Sequence, residues 1–179
     1  MGVRVLLRLE ELCDVVTYEH SLGVARLTEQ LIPIFERKYK TKFSKAFKKE
    51  VITGALLHDI GKVYVPLNLV TSNKRYASEE KTIVSTHTSI GACIVDGTFS
   101  HIIKDIIMYH HSPNKYYSDI PFMTSVVYII NVADRFNAMT TNRPYKKAHS
   151  DDWAIDRLKE ERTPNTYLEL LLIYLNKQE

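Results

Sequence analysis

Apolar positions recur along this chain with the period of an α-helix. From Val3 to Leu12 they fall at Val5, Leu6, Leu9 and Leu12, a set that lines one helical face. The pattern runs on through Val15 and Val16 into a second helix bearing Leu22, Val24, Leu27 and Leu31. Pro33 is expected to close or kink that helix, because proline lacks the N–H that the preceding turn needs. Glu50 to Ile60 reads as a central helix, Phe99 to His111 as another, and Val126 to Ala138 as a long apolar one. Residues 67–78 read as a loop. Ser78 is placed to cap a helix carrying Ile83 and Val84, and Ser150 to cap one over Asp151 to Glu161. Thr163-Pro164 opens the last helix, which ends near Leu175. No stretch alternates with period two and no segment repeats. The expected fold class is all-α, a helical bundle.

A length of 179 residues with 45% hydrophobic content is enough for one packed domain, expected over 1–179 with no attached sensor or receiver domain. The net charge of +3 is mild and gives no reason to expect a nucleic acid polymer as partner. The basic run from Arg37 to Lys49 reads first as a solvated loop and helix face, with phosphate steering as the alternative. Cys13 and Cys93 lack C-x-x-C spacing and read as small buried hydrophobes in a reducing compartment. Without a leader-like start or a membrane-length apolar run, the expected location is the cytoplasm.

The chemistry lies where polar groups interrupt apolar helices. Ala55-Leu56-Leu57-His58-Asp59-Ile60-Gly61-Lys62 leads an apolar run into an adjacent His and Asp. Such a pair at the edge of an apolar face costs several kcal/mol unless it is paired or holds a metal. Asp59 has two oxygens and can bridge two cations, while His58 offers one a neutral nitrogen. Gly61 is expected to end the helix and leave Lys62 free to meet an anion. His20, His87, the pair His110-His111 and Asp134 stand in similar apolar settings. Taken alone, His20 is more ordinarily a satisfied core residue than a ligand. The motifs are spaced about one helical hairpin apart, so a bundle can gather them at one centre. Five imidazoles and two carboxylates exceed the needs of one divalent ion and suit two, drawn from iron, manganese, zinc or nickel rather than magnesium. Two such ions about 3.5–4 Å apart activate water and clamp the attacking and leaving oxygens of a phosphoester.

Together these motifs resemble the HD superfamily of metal-dependent phosphohydrolases, and more closely its HD-GYP family of cyclic di-GMP phosphodiesterases. The resemblance runs from about Tyr18 to about Leu175. It rests on His20-Ser21-Leu22-Gly23-Val24-Ala25, on Leu56 to Lys62, on Thr86-His87-Thr88-Ser89-Ile90-Gly91-Ala92 and on Tyr109-His110-His111. Val132-Ala133-Asp134-Arg135-Phe136-Asn137-Ala138-Met139-Thr140 and Arg143-Pro144-Tyr145-Lys146-Lys147-Ala148 complete it. The resemblance implies a bundle of the HD-domain type. It implies His20, His58 and Asp134 on one metal, His87, His110 and His111 on a second, and Asp59 bridging them. Lys62 would meet the scissile phosphate, and Arg143 and Lys146 would hold phosphate oxygens of the nucleotide. The implied cofactors are two transition-metal ions, iron or manganese favoured over zinc or nickel. The implied substrate is a cyclic dinucleotide, cyclic di-GMP first, with a protein signalling partner or a homodimer left open.

Two departures bear on this. After the double His the chain reads Ser112-Pro113-Asn114-Lys115-Tyr116-Tyr117-Ser118-Asp119-Ile120-Pro121, without the glycines of the family's Gly-Tyr-Pro loop. Four residues before the first His, where some members carry a Glu that supports a third metal, stands Val16. The alternatives to a two-metal phosphodiesterase are a catalytically weak nucleotide-binding module and another HD-type nucleotide hydrolase. Tyr116 and Tyr117 offer replacement stacking surfaces or simply pack the loop.

Overall fold

The computed structural model describes residues 2–72, 74–143 and 147–177. Among them there is no β-strand, in agreement with the all-α expectation. Ten helices follow one another: α1 (Val3–Cys13), α2 (Val15–Lys38), α3 (Lys45–Leu57), the short α4 (Leu67–Val70), α5 (Ser78–Ser85), α6 (His87–Val95), α7 (His101–Tyr109), α8 (Met123–Thr140), α9 (Asp151–Glu160) and α10 (Asn165–Leu175). Two 3₁₀ turns, Ile60–Tyr64 and Pro113–Lys115, link α3 to α4 and α7 to α8.

The continuous apolar pattern at the start of the chain is cut by a polar residue. Asp14 is extended, and its carboxylate accepts from the backbone N–H of Val16 and Thr17 and from the Thr17 hydroxyl. That cap satisfies orphan donors of α2 and turns α1 away from it. α1 packs back on α2, on α3 and on the 3₁₀ turn that follows it, and that packing sets its roll. The helix buries Leu6 and Glu10, and the Val5, Leu9, Leu12 line expected to face inward is exposed instead.

Pro33 does not close the second helix, which continues to Lys38. Both Pro33 and Glu29, whose carbonyl loses its partner there, are exposed, so solvent serves that carbonyl. α2 packs against α1, α3, α8 and α10. The main core joins Leu31 and Phe35 of α2 to Val126, Ile129 and Ile130 of α8 and Leu170 and Leu171 of α10. A smaller cluster of Leu6, Leu57, Ile60, Val95, Ile103 and Ile107 ties α1, α3, α6 and α7 together. The basic run behaves as a solvated segment. Lys48 pairs with Glu36 at 2.7 Å and Lys38 with Glu169, while Phe43 packs into the core. Ser150 caps α9 through the Trp153 N–H as expected. At α5, however, Ser78 is already helical and the Glu80 carboxylate accepts from the Ala77 N–H.

Gly61 has a different reason to be glycine from the one its position suggests. α3 ends at Leu57, and Gly61 lies inside the following 3₁₀ turn. A Cβ there would sit 1.9 Å from the His87 carbonyl oxygen and 2.6 Å from the Gly91 nitrogen. The turn after His58-Asp59 and the start of α6 therefore touch backbone to backbone, which a side chain at position 61 would prevent. Cys13 and Cys93 are exposed thiols, not the buried hydrophobes expected from their spacing. No helix among the described residues is long and apolar enough to cross a membrane.

Candidate metal centre

The residues that interrupt the apolar helices converge. His20 comes from the second turn of α2, and His58 and Asp59 from the junction of α3 with its 3₁₀ turn. His87 begins α6, His110 and His111 follow α7, and Asp134 projects from α8. Three overlapping groups have ligand atoms within 4.8 Å of one another: Asp59, His87, His110 and His111; His20, His58 and Asp59; and His58, His110 and Asp134. Asp59 is common to the first two. Its Oδ1 lies 3.3 Å from His87 Nε2, and its Oδ2 lies 3.4 Å from His58 Nε2 and 4.0 Å from His20 Nε2. His20 Nε2 is 2.9 Å from Asp134 Oδ1, and His111 Nδ1 is 3.6 Å from Asp134 Oδ2.

The far sides of the rings are pinned. The Nδ1 atoms of His58, His87 and His110 lie 2.8, 2.6 and 2.8 Å from the carbonyls of Ala55, Val84 and Ile107, each three residues earlier. Each of these Nδ1 atoms thus donates, which leaves the Nε2 lone pair of the neutral ring facing the centre. His20 Nδ1 is 2.8 Å from Asn137 Oδ1, and the Asn131 amide donates to the His110 carbonyl at 2.6 Å. Gly23 makes room for Asn137, since a Cβ there would lie 2.5 Å from its amide nitrogen.

Some ligand-type atoms at the centre are left over by the protein's own contacts. His58 Nε2 and Asp59 Oδ1 are buried with no hydrogen-bond partner. Burial opposes a charge on His58, but the adjacent Asp59 carboxylate outweighs it and holds the ring's pKa at about 9. Burial likewise opposes ionisation of Asp59 and Asp134. Lys62 and His58 hold Asp59 well below the usual carboxylate range, and the His20 hydrogen bond does the same for Asp134. Burial pushes His87 down to about 4 and lowers His110 too. Ionised carboxylates, the neutral rings of His87 and His110, and a His58 nitrogen whose proton a cation would displace suit a divalent transition metal. The residues present therefore fit the metal that an HD-type site implies.

Lys62 donates to Asp59 Oδ2 at 2.6 Å, and burial is overcome by that carboxylate, so its pKa is raised. The centre opens to solvent at Lys62 and at His111, whose side chain is 46% exposed, whereas the other ring and carboxylate groups are buried. A cavity of about 420 Å³ meets the centre at Lys62, and another of about 400 Å³ at His111, the latter with Asn114, Tyr128, Asn131, Arg135 and Arg162 in its wall. Arg143 is half-buried and stands within electrostatic reach of Lys62. Lys146 lies outside the described residues. At Arg143 the chain is already past the end of α8, so this position is not on a helical face. Tyr116 is packed down on Tyr109, its hydroxyl donating to Asp105 Oδ2 at 3.0 Å, while Tyr117 is 84% exposed.

Two groups at the centre escaped the sequence reading. Asn137 had a signal, since it follows Asp134 by three residues on the same helical face. Glu10 had none. It reads as an ordinary polar position of α1, yet it is 1% exposed, with the Ser21 hydroxyl beside its carboxylate and no cation paired with it among the described residues. Burial, with Asp59 nearby, pushes its pKa up to about 7.

Known proteins resemble this chain over much of its length. The family model described as HD domain matches residues 17–139. A cyclic di-GMP phosphodiesterase of Thermotoga maritima is 30% identical over 155 residues, covering 80% of this chain and 40% of the relative. A cyclic di-GMP phosphodiesterase of Pseudomonas aeruginosa is 29% identical, covering 82% of this chain and 36% of its own. A 3'3'-cGAMP-specific phosphodiesterase of Vibrio cholerae is 28% identical over 116 residues, covering 59% of this chain and 21% of its own. The chain thus spans two fifths or less of the length of these relatives.

Proposed function

We propose, from the premise that the chain belongs to the HD domain family, that it is a two-metal phosphodiesterase acting on a cyclic dinucleotide, cyclic di-GMP first. The observation that carries this reading is the convergence of seven ligand-type side chains beside one lysine that faces open space. His20, His58 and Asp134 would hold one transition-metal ion, His87, His110 and His111 a second, and Asp59 both. When bound, such ions polarise the phosphoester and supply an activated water.

The chain's own groups do the rest. The carbonyls of Ala55, Val84 and Ile107 and the Asn137 amide orient four imidazoles, so little reorganisation is left for the reaction. The Lys62 ammonium meets a phosphate oxygen at the open side, and Arg143, within its field, adds a planar donor pair for a second oxygen. A dinucleotide whose scissile phosphate rests on the centre finds a cavity at Lys62 and another at His111. Relatives named as cyclic di-GMP and 3'3'-cGAMP phosphodiesterases support this substrate class.

The Ser112 to Pro121 segment argues for slower turnover with relaxed base selection. Tyr116 is spent on packing, which leaves Tyr117 as the loop's free aromatic surface, while the ligand set is complete. The test is turnover of several cyclic dinucleotides by iron- or manganese-loaded protein under anaerobic conditions, with Asp59→Ala as blank. The expected result is about two ions per chain, both lost in Asp59→Ala, and slow cleavage of cyclic di-GMP with weak discrimination among cyclic dinucleotides. Binding without turnover above the blank would make the protein a nucleotide-binding module instead.

A further inference from the structure

Glu10 is a buried carboxylate with the Ser21 hydroxyl beside it and no cation paired with it among the described residues. A buried carboxylate without a cation is costly, and an Ala or Leu at this position of α1 would avoid the cost. Glu10 shares the wall of the 420 Å³ cavity with Lys62, Asp14 and Thr17. Asp14 is not available for a new partner, because its two oxygens cap α2 through Val16, Thr17 and the Thr17 hydroxyl. Glu10 is therefore the one uncommitted anion on Lys62's side of the centre among the described residues. It also stands outside all three groups of converging ligand atoms, which speaks against a role as a metal ligand.

Lys62 has the complementary problem. Its ammonium sits 2.6 Å from Asp59 Oδ2, an oxygen that also faces His58 and His20. If Asp59 held metal ions, the ammonium would be left beside like charge. Like charges held this close in a site shielded from water repel, and a divalent ion repels more than a monovalent one.

We propose that Glu10 is a positioning residue for Lys62: it receives the ammonium when metal loading takes Asp59 away, and holds it charged at the open side where a substrate phosphate arrives. Glu10 and Asp59 are thus alternative seats for one lysine, the first used in the loaded protein and the second in the metal-free one. This rests on the metal-centre reading and not on the identity of the nucleotide.

The test is a double-mutant cycle read by manganese binding to the full chain, with no turnover involved. Glu10→Gln should weaken manganese affinity about tenfold, because the ammonium then stays against Asp59 and competes with the ion. In a Lys62→Met background the same Glu10→Gln change should have no effect. Lys62→Met alone should leave manganese affinity within about threefold of wild type, and this arm stands even if Glu10→Gln fails to fold. The proposal is overturned if Glu10→Gln acts equally in both backgrounds, if it removes one ion from the stoichiometry, or if Lys62→Met alone tightens binding tenfold or more. A wild-type protein that binds no manganese would instead sink the metal-centre reading, and is told apart by that control.

Discussion

Gly61→Ala is the most direct probe of how this fold holds its centre. The added methyl would stand 1.9 Å from the His87 carbonyl oxygen and 2.6 Å from the Gly91 nitrogen. Ordinary contact begins near 3.4 Å, so either the 3₁₀ turn or the start of α6 must move by about 1.5 Å. Both obstacles are backbone, which cannot swing aside as a side-chain tip can. Overpacking costs typically 1–3 kcal/mol, and a backbone clash belongs at the upper end, about 3 kcal/mol. In a chain of this length each kcal/mol is worth about 2–4 °C of melting temperature, giving a fall of about 6–12 °C.

The displaced elements carry Asp59 and Lys62 on one side and His87 on the other, so manganese affinity should fall as well. Two substitutions calibrate the effect. Gly2→Ala meets nothing within 4 Å and should stay within about 0.5 kcal/mol of wild type. Gly91→Ala meets chiefly the Ile107 side chain at 2.8 Å, and alanine also gains up to about 1 kcal/mol over glycine inside a helix, so its cost should be smaller. Thermal melts and manganese titrations on the three variants decide the matter. A Gly61→Ala protein that melts within 2 °C of wild type and binds manganese as tightly would refute the backbone-contact argument.

Glu10 also makes metal-free stability depend on pH. Its carboxyl titrates at about 7 in the folded chain against 4.5 as the ordinary value. The folded state therefore binds the extra proton between those values, and stability falls as pH rises through that window, by up to about 3 kcal/mol. Urea denaturation of chelator-treated protein should show Glu10→Gln gaining on wild type by about that amount between pH 5 and pH 8; a constant difference would show that Glu10 is already ionised when folded. Arg143→Ala should weaken cyclic dinucleotide binding about tenfold while leaving metal content unchanged. Equal affinity by calorimetry would return Arg143 to the solvated surface.

The sequence by itself determined the helical class and marked the polar residues that the fold brings together. Both are written in short-range order: the 3.6-residue period, and single polar groups placed in apolar runs, as His58-Asp59 and Asp134 are. Such insertions are legible because burial forces an explanation on each of them one residue at a time. Where the chain turns is also local, yet Asp14 was hidden by the apolar residues on either side of it, and Pro33 sits harmlessly because its helix face is exposed.

What only the tertiary structure decided depends on which element lies against which. Val5, Leu9 and Leu12 look like a core face and are exposed, while Glu10 looks like a surface residue and is buried beside Asp59 and Lys62. The roll of α1 about its axis makes that exchange, and it is set by packing against α2 and α3, not by the helix's own pattern. Gly61 is the same lesson in the backbone: its neighbours along the chain suggest a helix stop, and its neighbour in space, the His87 carbonyl, supplies the actual reason. Local pattern records what each residue prefers, but a contact between residues distant in sequence is fixed only when the whole bundle closes.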